Sequence, residues 1–165
     1  MTSRTDKTAP DMADDTDDTH HDTGHGTVDS TGDAQDLLPP SLDDIETIAR
    51  DTIDALPEPF RGAALAVALR VEEFPDAQML ADLGIEDGFE LTGLYDGIPV
   101  TEKSVMHQPE GPDVVWLFRR PILDEWADRG DVGIHALVSH VTVHEFAHHF
   151  GWSDDDIARI DRWWE

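Results

Sequence analysis

The run from Asp131 to Phe150, DVGIHALVSHVTVHEFAHHF, constrains this chain more than any other segment. It is the longest stretch with a helical pattern, and Gly151 follows it directly. Val132, Ile134, Val138, Val141, Thr142 and Val143 are β-branched, with only modest helix propensity. A helix of such residues must be held by burial. The rest of the fold therefore has to enclose it. Gly151 supplies the stop, because glycine takes the left-handed cap conformation without a Cβ penalty.

The covering elements are expected upstream. Ser41 with Asp44 three residues on is a capping-box start, and Leu42, Ile45, Ile48, Ala49, Ile53 and Leu56 follow at helical spacing. Pro57 and Pro59 close that helix. The alternation of Val67, Leu69 and Val71 predicts a strand, and DAQMLADLGI a short helix or turn. Gly93 and Gly97, in FELTGLYDGIPV, predict a hairpin. Asp113 to Phe118, DVVWLF, is the clearest strand, and Pro121 sits where the next helix, PILDEWADRG, would start. Ser153 is placed to cap a last short helix whose first turn holds Asp154, Asp155 and Asp156.

Ahead of these elements lies a stretch with almost nothing to bury. Met1 to Asp36 is built of Asp, Thr, Gly and Ser, so residues 1–38 are expected to be a disordered acidic tail and residues 41–165 the folded domain. His20, His21 and His25 read as incidental residues of that tail. The chain carries 37 acidic and 11 basic residues, a formal net charge of −26. Such a chain repels phosphates and anionic lipid, which argues against nucleic-acid and membrane-surface partners. No run approaches the roughly 20 apolar residues of a membrane span, and the N-terminus has no apolar signal core. A soluble cytoplasmic protein is expected.

There is no cysteine, so any metal must be held by His, Asp or Glu. The long helix carries such groups in HEFAHHFGWSD, His144 to Asp154. His144 and His148 lie four apart and share one helix face, with Cβ atoms about 5–6 Å apart. Two imidazoles so placed can converge on one ion. Glu145 points about a quarter turn away, poorly placed as a ligand and well placed to reach a water. Two ligands are too few for a catalytic zinc, which usually keeps three and one open position. Gly151 lets the chain reverse, and Asp154 arrives three residues later as the third candidate. The bland alternative is a solvent-facing helix with histidines on its polar side. It accounts poorly for Glu145 and the glycine stop together. The same two-histidine, one-carboxylate set also suits iron(II).

The neighbours divide differently. His140, one turn before His144 on the same stripe, is weighed as a partner supporting the ligands against a core or surface histidine, and His149 reads as structural. Asp155 and Asp156 are alternative third ligands that helix capping already explains, and Asp161 and Glu165 rank behind Asp154. Tyr95 is the only tyrosine and is weighed as an oxyanion stabiliser against a packed cleft-edge residue. Trp116, Trp126, Trp152, Trp163 and Trp164 read as core and as cover for the site.

HEFAHHFGWSDDDI, with GLYDGIPV and VVWLFRRPI upstream, resembles the minimal zincin-like metallopeptidase family, known by its His-Glu-x-x-His-x-x-Gly-x-x-Asp motif. The resemblance spans roughly Ser41 to Glu165. It implies a small α+β domain, a short mixed sheet packed on a central motif-bearing helix with further helices. It implies His144, His148 and Asp154 as ligands of one zinc ion and Glu145 as catalytic acid/base. One departure stands out. The larger metzincin group carries a methionine turn C-terminal to the motif, whereas Met1, Met12, Met79 and Met106 all precede it here. The floor of the site is then expected from the terminal helix and its tryptophans.

Two functions follow as expectations. One is a zinc peptidase acting on a peptide or protein substrate. The other is a non-catalytic zinc-binding domain that interacts with a protein partner. The missing methionine turn favours the second, and the intact Glu145 favours the first.

Overall fold

The computed structural model describes residues 38–104 and 111–160, with side chains through Ile157. The expectations about the acidic tail and its histidines, and about Met106, Asp161, Trp163, Trp164 and Glu165, fall outside the described residues.

The chain opens with α1, Leu42–Asp54, capped as its sequence predicts. The Asp44 amide donates to Ser41 Oγ at 3.1 Å, and the Ser41 amide donates to the Asp44 carboxylate at 2.8 Å. Then come α2 (Phe60–Ala64), β1 (Ala68–Glu72), α3 (Ala77–Leu83) and a 3-10 turn at Gly88–Glu90. β2 is Gly93–Asp96 and β3 is Val114–Phe118. Three helices complete the described chain: α4 (Arg119–Arg129), α5 (Ile134–His149) and α6 (Asp154–Ile160). The architecture is the small α+β arrangement expected.

The three strands form one mixed sheet in the order β1-β3-β2. β1 runs parallel to β3, with Arg70 opposite Trp116. β2 runs antiparallel to β3, with Gly93 opposite Leu117 and Tyr95 opposite Val115. This differs from the hairpin expected around Gly93 and Gly97. The chain does not fold back at the glycines; β2 pairs with β3, beyond a long connection. β3 earns its central place by composition: Val115 and Leu117 have no exposed surface.

One face of the sheet meets α5, which is buried on several sides at Leu137, Val138, Val141, Thr142, Glu145, Phe146, Ala147 and His149. That enclosure supplies what its β-branched residues lack in intrinsic propensity. Helix α1 packs against α5 and β1 and completes the core through Ile45, Ala49 and Ile53. Thr52 Oγ1 and Ser139 Oγ, 2.8 Å apart, pair across that helix contact. Among the described residues no helix is long and apolar enough to cross a membrane.

Candidate metal centre

Helix α5 ends in a Schellman turn. The Trp152 amide donates to the Ala147 carbonyl at 3.0 Å and the Gly151 amide to the His148 carbonyl at 2.9 Å, with Gly151 at φ +87°. The chain reverses there and starts α6 at once. Ser153 caps α6: the Asp156 amide donates to Ser153 Oγ at 3.3 Å, and Ser153 Oγ donates to the Asp156 carboxylate at 2.8 Å. Asp156 is thereby occupied as a cap. Asp154, at the first helical position, is left largely exposed and turned toward the end of α5.

His144 Nε2 and His148 Nε2 each lie 3.3 Å from Asp154 Oδ1. The ligand atoms of all three residues fall within 4.8 Å of one another. A tetrahedral zinc with bonds of about 2.0–2.1 Å sets neighbouring ligand atoms about 3.3–3.4 Å apart. The two histidine-to-aspartate separations match that spacing, and the donor set of two imidazoles and a carboxylate suits zinc. His148 Nδ1 lies 3.0 Å from the Trp152 carbonyl oxygen. Since a carbonyl only accepts, that contact assigns the proton to Nδ1 and leaves the Nε2 lone pair free for an ion.

Glu145 is 8% exposed and lies against β2. A Cβ at Gly93 would stand 2.8 Å from Glu145 Cγ, so the glycine is what lets helix and strand approach. Burial pushes the Glu145 carboxyl up to about 7; the Tyr95 backbone N–H, which donates to it, works against this, and the Asp154 charge adds to it. A cleft of about 450 Å³ opens here, lined by Glu90, Thr92, Gly93, Glu125, His140, His144, Glu145 and Asp154. His140, for which sequence favours a core or surface place over one beside the ligands, is one of its walls.

Tyr95 does not stand where an oxyanion stabiliser would. Its hydroxyl lies 3.1 Å from Nδ1 of buried His149, away from the cleft. His149 Nδ1 is also 3.4 Å from Asp113 Oδ2, and Lys103 Nζ donates to that same carboxylate oxygen. Burial alone would raise the Asp113 pKa, but hydrogen bonds from Lys103 and the Ile98 amide, with the charges of Lys103 and His149, hold it below the ordinary carboxylate value. Burial lowers the His149 pKa and the Lys103 charge adds to that, while Asp113 opposes both. The Tyr95 hydroxyl is pushed up, by burial first and by Asp113 next. Sequence reading did not single out Asp113 or Lys103. The one available signal was scarcity, since the chain has only two lysines, Lys7 and Lys103.

The cover of the site also differs from expectation in part. Trp152 packs on Phe60, with ring centroids 6.0 Å apart, and Phe60 packs on Phe150 at 5.0 Å. The β2–β3 connection adds a backbone contact at the end of α5: the Val100 amide donates to the His149 carbonyl at 2.9 Å.

Comparison with known proteins is consistent with this geometry. No curated protein matches the chain. Residues 64–164 match the family described as zincin-like metallopeptidase, a stretch that runs from the end of α2 through both histidines, the glycine turn and Asp154. On that match the chain belongs to the zincin-like metallopeptidase family.

Proposed function

We propose that this protein is a zinc-dependent peptidase in which His144, His148 and Asp154 hold one zinc ion and Glu145 is the general base. The observation that carries the reading is the approach of both imidazole Nε2 atoms to Asp154 Oδ1, 3.3 Å each. A bound zinc would supply Lewis acidity, lowering the pKa of a water to about 7 and polarising a substrate carbonyl. Glu145 takes the proton of the attacking water and passes it to the leaving amine. Its burial in the cleft wall favours this role over that of a surface carboxylate.

The sheet offers a place for the substrate. The Phe118 amide donates to the Thr92 carbonyl at 2.9 Å, which makes those two residues a bonded pair. Alternation then turns the Gly93 amide and carbonyl away from β3, toward the cleft beside Glu145. An extended peptide pairing with that edge would bring a scissile carbonyl to the metal centre by strand addition.

The test is Glu145→Gln assayed against a peptide library, with bound zinc counted. Stoichiometric zinc with cleavage lowered about 100- to 10,000-fold is expected. Undiminished cleavage overturns the mechanism. A wild-type protein that holds zinc and cleaves nothing in the library supports the other reading, a zinc-binding interaction domain.

A further inference from the structure

Helix α5 ends, one turn beyond His144 and beside His148, in a turn whose left-handed residue, Gly151, has no side chain. Gly151 contributes no packing of its own, and Asp154 is reached only through it. The position of Asp154 relative to His144 and His148 therefore depends on what presses against that turn. The β2–β3 connection does so at two points. The Val100 amide holds the His149 carbonyl, and Thr101 lies so close to Gly151 that a Cβ there would stand 2.3 Å from Thr101 Oγ1.

That connection is itself held by one buried carboxylate. Asp113 is 7% exposed and accepts from the Ile98 amide at 3.2 Å and from Lys103 Nζ. The chain bends around it at Gly97, where a Cβ would stand 2.4 Å from Asp113 Oδ1. Asp113 and Tyr95 also meet the ring of His149, next in sequence to His148. Lys103 and the Ile98 amide donate to Asp113, and the Tyr95 hydroxyl and His149 Nδ1 pair beside it.

We propose that Lys103, Asp113 and Tyr95 are positioning residues for the metal centre, acting through His149 and the Val100 and Thr101 contacts to fix where the Gly151 turn delivers Asp154. The inference rests on the assignment of His144, His148 and Asp154 as ligands. An ion pair with one partner half-exposed adds little net stability, whereas its hydrogen bonds fix direction. Here the direction fixed is that of the last turn of α5 against β2 and β3. None of the three belongs to the proposed ligand set of His144, His148 and Asp154.

The experiment is a zinc titration of the metal-free full-length protein, by competition with a chromogenic chelator, at a temperature where every variant is folded by circular dichroism. Lys103→Met and Asp113→Asn should raise the zinc dissociation constant about 10–100-fold, the usual cost of removing a group that supports a ligand. Lys103→Arg should restore wild-type affinity. Ile45→Val, a core change in α1, should lower the melting temperature and leave zinc affinity unchanged. Lys103 is 38% exposed, so Lys103→Met remains a usable variant if Asp113→Asn does not fold. Unchanged affinity in Lys103→Met, with binding abolished in His148→Ala, overturns the inference and leaves the ligand assignment standing. Wild-type zinc binding in both His148→Ala and Asp154→Ala removes the ligand assignment, and the inference with it.

Discussion

His148 Nδ1 and the carbonyl oxygen of Trp152 lie 3.0 Å apart, joining a candidate ligand to the turn that carries the chain toward the next one. One local structure therefore does two jobs. It fixes the tautomer of His148, and it returns the backbone so that Asp154 Oδ1 stands 3.3 Å from both Nε2 atoms. Disturbing the turn should affect ligand orientation and ligand delivery together.

Gly151→Ala tests this. Its φ of +87° is a conformation that costs an L-residue about 1–2 kcal/mol, and the added Cβ would press on Thr101. The variant should melt at a lower temperature and bind zinc more weakly than that loss of stability accounts for. Adding Thr101→Ala should recover the steric part and leave the backbone part. Thermal melts with and without zinc separate the two.

Gly93→Ala should act on turnover more than on metal binding. Its new methyl would stand 2.8 Å from Glu145 Cγ and 2.9 Å from Val141 Cγ1, so either the Glu145 side chain or the β2 edge has to move. The atoms the methyl would meet first belong to Glu145 and Val141 and not to the proposed ligands His144, His148 and Asp154. Zinc content near that of wild type, with kcat reduced, is the expected pair of results. Loss of zinc at unchanged kcat per bound ion would contradict it.

The Asp113 carboxyl titrates below its ordinary value in the folded protein. The unfolded chain takes up that proton first as pH falls. The stability Asp113 contributes is therefore complete above the ordinary carboxylate pKa of about 3.9 and is lost as pH falls through the folded-state value. Asp113→Asn should be less stable than wild type at pH 7, and the gap should narrow below about pH 4. Urea melts of the metal-free proteins across that range give the difference directly. A gap that stays constant with pH would mean the ion pair is not its source.

Metal should stabilise the fold through the proposed ligands His144, His148 and Asp154. Free zinc at about 100 times its dissociation constant adds about 2.7 kcal/mol to a protein that binds it only when folded. A chelator should remove that increment in wild type and have no effect on Asp154→Ala. A melting temperature indifferent to zinc in wild type would argue against a site in the folded chain.

The candidate centre was legible in sequence because its parts are close together. His144, Glu145, His148, Gly151 and Asp154 fall at helical and turn spacings that geometry alone interprets. The same holds for α1 with its Ser41–Asp44 box and for β3 with its apolar run. What spacing does not reveal is which distant segment a residue meets. Tyr95 was weighed as an oxyanion group because nothing local shows that its hydroxyl faces His149, 54 residues later. The partner of β2 is equally nonlocal, which is why two glycines suggested a turn there. Lys103 and Asp113 meet across a connection with no regular pattern, and neither carries a motif.

All the proposed donors lie within one contiguous segment of α5, its turn and the start of α6, whereas the groups bracing them lie between Tyr95 and Asp113. A synthetic peptide copying residues 144–154 would thus contain the complete chelating alphabet and still be a poor chelator, since so short a helix is marginal in water. High affinity would belong to the assembled domain, and grafting the motif onto a foreign scaffold without its brace would transfer the letters and not the grip.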